Sequence, residues 1–185
     1  MKKELLKNIL CVIVKPHYGW ERVSESQLAP GLALSGLYYP LLGVLALACF
    51  FPMVYDHTIT VSHSLMTGII EFSSFFITYF ITSYLLEGFY PELAKTRAAR
   101  NRLNDFIVYN LVFLVLLKIL RYLLPSDFTP VLFLMLYMPW MVYRATEYLE
   151  VRENKVTKFV VIASALIMGL PIAINYFLSL FIITR

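Results

Sequence analysis

Apolar residues fall into long blocks separated by short polar stretches. Residues 31–52, 64–90, 106–124, 131–149 and 159–183 are each long enough as helices, at about 1.5 Å per residue, to cross a hydrocarbon core of roughly 30 Å. The pattern predicts an all-α fold, a polytopic transmembrane helix bundle of five spans. Pro40, inside the first block with Gly36 and Gly43 nearby, predicts a kink and close helix approach. Pro91 closes the second block, a tight Pro125–Pro130 turn joins the third and fourth, and Pro171 bends the fifth.

The first fifteen residues follow a different period. Leu5, Leu6, Ile9, Leu10 and Ile13 share one helical face, and Lys3, Glu4, Lys7, Asn8 and Cys11 lie opposite. This pattern predicts an N-terminal interfacial amphipathic helix lying on the membrane, stopped by Pro16, with Tyr18 and Trp20 at the headgroup level. Lys7 interrupts the apolar stretch and no small-residue cleavage site follows, which argues against a signal peptide. Residues 1–30 therefore read as a cytoplasmic or interfacial segment, and 31–185 as a five-helix membrane domain.

Composition agrees with this division. Of the 185 residues, 59% are hydrophobic and 15% charged, more apolar surface than a soluble domain of this size can cover. The net charge of +4 lies beside the apolar blocks, which points to membrane lipids rather than nucleic acid. Lys2, Lys3, Lys7, Lys15 and Arg22 precede the first span; Lys95, Arg97, Arg100 and Arg102 follow the second; Arg152, Lys155 and Lys158 follow the fourth. The opposite connections hold only Lys118, Arg121 and Arg185. The expectation is an integral multi-pass membrane protein (of the inner membrane in a bacterium), N terminus in the cytoplasm and C terminus outside.

Polar groups inside spans need an explanation, because hydrocarbon offers them no partner. Ser64, Thr67, Glu71, Ser74, Thr78 and Thr82 form one stripe along the second span. The stripe reads either as interhelical and back-bonded hydroxyls or as the lining of a hydrophilic path. Glu71 and Lys118 lie at matching depths on consecutive antiparallel spans, so an ion pair is expected, against the alternatives of a proton-carrying Glu71 or a snorkelling Lys118. Ala165, Gly169 and Ala173 repeat every four residues and predict close helix packing, within the bundle or between subunits. Ser164, Asn175 and Ser179 supply polar contacts on another face.

Signals for chemistry are weak. Asp56, His57 and His63 match no metal-site spacing, Cys11 and Cys49 form no ligand pair, and neither a nucleophile elbow, a phosphate-binding glycine loop nor a zincin motif occurs. No catalytic residue, cofactor or metal is expected, which leaves a non-enzymatic reading ahead of a lipid-acting enzyme.

The stretch Ile-Val-Lys-Pro-His-Tyr-Gly-Trp-Glu-Arg-Val, from Ile13 to Val23, resembles the Lys-Pro-x-x-x-Trp-Glu-x-Ile segment of prokaryotic Yip-domain proteins. The order after Tyr109 is also similar: a span ending at Pro125, Leu136-Tyr137 through Tyr143, a charged loop, and a last span with Gly169-Leu170-Pro171. The resemblance covers nearly the whole chain. It implies five membrane helices and a cytoplasmic N terminus; association with itself, with membrane-protein partners or with lipids through intramembrane packing is the expectation that goes with it. Eukaryotic members interact with Rab-type GTPases and with one another, and their hallmark Asp-Leu-Tyr-Gly-Pro and Gly-Tyr segments are absent here, so GTPase binding does not carry over. The function expected is a scaffold or membrane organiser. The alternative is a small transporter using the second-span stripe.

Overall fold

In a computed structural model, which describes residues 2–26, 31–93, 100–125 and 129–182, the chain is a helical bundle. Its helices are α1 (Lys2–Val14), α2 (Pro16–Glu25), α3 (Tyr39–Ala48), α4 (Val61–Leu93), α5 (Arg100–Leu123), α6 (Met138–Tyr148) and α7 (Val156–Ile182). Four stretches are long and apolar enough to cross a membrane: Leu34–Val54, Val61–Leu93, Arg102–Leu123 and Glu153–Phe181.

The block at 131–149 is not among them. It is a 3-10 stretch, Thr129–Tyr137, followed by the eleven residues of α6. Pro139 has no N–H to give the carbonyl of residue 135, so it sits in the first turn of α6, where no such bond is needed. Pro91 does not close its helix: α4 runs on to Leu93, with the proline in its last turn.

Ahead of α3 the chain makes a π-helix over Leu34–Tyr38, and Tyr39 N–H bonds the Leu34 carbonyl five residues back. A proline ring collides with the carbonyl four residues before it, and the wider turn is one way to relieve that collision at Pro40. Gly43 has open space around it. Gly68 on α4 brings that helix against α3: a Cβ there would lie 2.9 Å from the Ala46 carbonyl oxygen.

The N-terminal helix is turned away from the expected orientation. Pro16 disfavours helical backbone at Lys15, which adopts φ −136° and ψ 75°, and α2 folds back against α1. A Cβ on Gly19 would lie 2.4 Å from the Val12 Cα, so only glycine permits this contact. α1 buries Leu5, Asn8, Ile9 and Val12, while Leu6 and Leu10 face outward. Asn8 is drawn inward because its Oδ1 accepts a 3.0 Å hydrogen bond from Arg22 Nε. Trp20, expected at the interface, is buried: its indole N–H donates to the Met141 carbonyl at 3.2 Å, and its ring stacks on Tyr148. Tyr18 is exposed.

Two polar clamps define the ends of the bundle. At one end, Arg102 donates to the Tyr148 carbonyl (3.1 Å) and to Glu150 (3.2 Å), the Arg152 N–H reaches the Leu93 carbonyl at 2.9 Å, and the Tyr90 hydroxyl donates to the Leu149 carbonyl. At the other, the Tyr55 hydroxyl donates to the Leu123 carbonyl at 3.1 Å. Lys95 and Arg97, and residues 126–128 of the expected turn, lie outside the described residues, as does Arg185.

Candidate functional site

The charged centre of the bundle lies between α4 and α5. Lys118 and Tyr122 are four residues apart on α5, so both project from the same side of that helix. Glu71 projects from α4 to meet them. Lys118 Nζ is 2.7 Å from Glu71 Oε1, and the Tyr122 hydroxyl donates to the same oxygen at 2.8 Å. The Glu71 side chain is 4% exposed and that of Lys118 16%, so each charge depends on the other for compensation. Arg121, one residue before Tyr122, is exposed. Tyr122 was not anticipated from the sequence, although its spacing from Lys118 is a legible signal.

The stripe on α4 faces the interior, with Ser64, Glu71, Ser74, Thr78 and Thr82 all buried. Three hydroxyls of the stripe return to their own helix: Thr67 donates to the His63 carbonyl at 2.9 Å, and Ser74 to the Ile70 carbonyl and Thr78 to the Ser74 carbonyl, each at 2.7 Å. On α5, Asn110 Nδ2 likewise donates to the Phe106 carbonyl at 2.7 Å. Such bonds satisfy a hydroxyl or amide in apolar surroundings without a partner helix. Other buried polar atoms have no hydrogen-bond partner among the described residues, including Ser64 Oγ, Glu71 Oε2, Thr82 Oγ1, Asn110 Oδ1 and Ser164 Oγ.

The small-residue stripe does not join helices within the chain. Ala165, Gly169 and Ala173 face outward, and a Cβ on Gly169 would meet nothing within 4 Å. α7 buries a different side, through Phe159, Ala163, Ile167 and Pro171, and packs on α4 and α6. The Ser179 hydroxyl bonds the Tyr176 carbonyl at 2.7 Å, and Asn175 is half-buried.

Among the described residues no group of three or more His, Cys, Asp or Glu could hold a metal ion. Asp56 Oδ1 instead accepts the Thr58 N–H (2.9 Å) and hydroxyl (2.6 Å), bonds that hold its carboxyl below the usual range. His17 Nδ1 lies 3.7 Å from an exposed Glu147 oxygen. Cys49 is buried, its thiol directed at the Leu45 carbonyl at 3.4 Å, and Cys11 is half-buried.

A helical bundle with four helices long and apolar enough to cross a membrane is the architecture of a membrane protein. Comparison with family models, with characterised proteins and with solved structures gives no match to this chain.

Proposed function

We propose that the chain is a non-enzymatic, Yip-like integral membrane protein that acts as a scaffold or membrane organiser through helix packing. The observation that carries this reading is the engagement of Glu71 between α4 and α5. Glu71 Oε1 is taken by Lys118 and Tyr122, and Ser74 and Thr78 return their hydroxyls to α4. The Glu71 contacts tie α4 to α5, and the Ser74 and Thr78 hydroxyls are satisfied within α4 itself.

The reading includes five crossings. Nine residues of 3-10 helix at roughly 2.0 Å and eleven of α-helix at roughly 1.5 Å span about 35 Å, enough for a hydrocarbon core. This segment starts past Leu123 and ends beside Arg102, at opposite ends of α5, which supports a full return across the bundle. Lys3, Lys7 and Lys15 with Arg102, Arg152, Lys155 and Lys158 support an N terminus in the cytoplasm and a C terminus outside.

A transport reading has its own support in the unpartnered Glu71 Oε2, Thr82 Oγ1 and Asn110 Oδ1. One experiment separates the two. The full chain is purified in native-lipid discs for mass spectrometry of stoichiometry, partners and lipids, and is reconstituted in liposomes for flux. The scaffold reading expects a defined assembly with itself, a membrane protein or lipid, and flux equal to that of empty liposomes. A proton or solute flux abolished by Glu71→Gln, with folding intact, replaces it with transport.

A further inference from the structure

On α6, Trp140, Tyr143 and Arg144 share an outward face. The two rings stack with centroids 5.9 Å apart and planes at 28°, and both are 46% exposed. The Arg144 guanidinium lies over them, 4.5 Å from the Trp140 centroid and 5.8 Å from that of Tyr143. Stacking uses the flat face of the guanidinium and leaves its N–H donors free at the edge. Among the described residues none of those donors has a hydrogen-bond or ion-pair partner.

The turn from α1 to α2 runs alongside this face. The Tyr137 hydroxyl donates to the Ile13 carbonyl at 3.0 Å, and His17 approaches Glu147 within 3.7 Å. Leading into that turn, α1 holds Leu6, Leu10 and Val14 outward at 52%, 60% and 70% exposure. Lys7 and Lys15 are exposed beside them. An apolar stripe edged with lysines fits the boundary between acyl chains and headgroups, where lysine stems lie along apolar matter and ammonium groups reach out. The exposed Glu147 carboxylate is the one opposing charge on the α6 part of this face, and it lies against His17.

We infer that this face docks an anionic phospholipid of the surrounding leaflet. Arg144 takes the phosphate through its planar fork, Lys7 and Lys15 add positive charge, and Leu6, Leu10 and Val14 lie against the acyl chains. Trp140 and Tyr143 are positioning residues that hold the guanidinium flat. The inference rests on the placement of this end of the bundle at a bilayer surface, as proposed above. An acidic peptide would satisfy the charge and would leave the apolar stripe without a partner, which favours lipid.

The test titrates the full chain in detergent with dioleoyl phosphatidylglycerol or dioleoyl phosphatidylcholine and counts bound lipid by native mass spectrometry. Wild type retains the anionic lipid at least about fivefold better. Arg144→Gln lowers the ratio at least about twofold without changing lipid-free thermal unfolding, the remainder coming from Lys7 and Lys15. Arg144→Lys recovers part of the loss, because a point charge keeps the attraction and loses the fork. Trp140→Leu lowers the ratio by releasing the guanidinium, and serves as the second variant. Equal retention of the two lipids by wild type overturns the inference, as does unchanged selectivity in both Arg144→Gln and Trp140→Leu. Inorganic phosphate that stabilises the protein as well as phosphatidylglycerol also overturns it. The same spectra count protein copies, so loss of the scaffold reading is visible separately from loss of headgroup selectivity.

Discussion

Lys118 and Glu71 meet at 2.7 Å with both side chains largely withdrawn from solvent. A buried pair stabilises little by itself, because desolvation offsets most of its attraction, yet removal of one partner strands the other. Glu71→Gln or Lys118→Met should each destabilise the protein by about 3 kcal/mol. The double change should recover much of that loss, since it removes both charges together. Thermal unfolding of the four proteins of the cycle in detergent measures the coupling. Purely additive losses would mean that Lys118 is solvated independently of Glu71. Tyr122 is the reason recovery will be incomplete, because its hydroxyl loses a carboxylate acceptor in the double variant.

At the scale of elements, the glycines separate two kinds of helix contact. Gly19 lies where α1 and α2 touch backbone to backbone, with 2.4 Å between an added Cβ and the Val12 Cα. Neither helix can yield without breaking the turn at Lys15, so Gly19→Ala should lower stability by about 2 kcal/mol, at the upper part of ordinary overpacking. Gly169 faces open space, and Gly169→Leu should leave thermal unfolding of the single chain unchanged. The same unfolding series measures both. An equal loss in the two variants would mean that α7 uses its small-residue stripe inside the fold. The stripe is legible in the sequence, but its direction is not: Ala165, Gly169 and Ala173 look alike whether they face a neighbouring helix or lipid. Gly19 carries no periodic partner in the sequence, so its contact emerges only when Lys15 turns the chain.

For the whole molecule, the two ends differ in charge, and this difference is the basis for orientation. Arg102, Arg152, Lys155 and Lys158 gather where α4 ends and α5 and α7 begin, near the clamp of Arg102 on Tyr148 and Glu150. A cysteine introduced at position 97, after replacement of Cys11 and Cys49, should resist an impermeant thiol reagent added outside intact cells and react once the membrane is opened. A cysteine in the 55–60 loop should show the opposite behaviour. Labelling of position 97 from outside would invert the topology and move the lipid-docking face to the other leaflet.

The amino-acid sequence by itself determined the helical class, four of its five apolar blocks as membrane-length helices, and the inward polar stripe of α4, because hydrophobic length and helical period are properties of local stretches. It also placed Glu71 and Lys118 at one depth, since consecutive antiparallel helices share a simple register. Tertiary structure decided what depends on rotation and on distant contacts. It set which side of α1 is buried, where Asn8 answers Arg22 and displaces Leu6 and Leu10 outward. It drew Trp20 into the core between α5 and α6, where the Met141 carbonyl satisfies its N–H and makes burial affordable. It also joined Tyr122 to the ion pair. A helical wheel fixes the angles between side chains of one helix and leaves the rotation of that helix against its neighbours open. That rotation is set by packing among residues far apart in the chain.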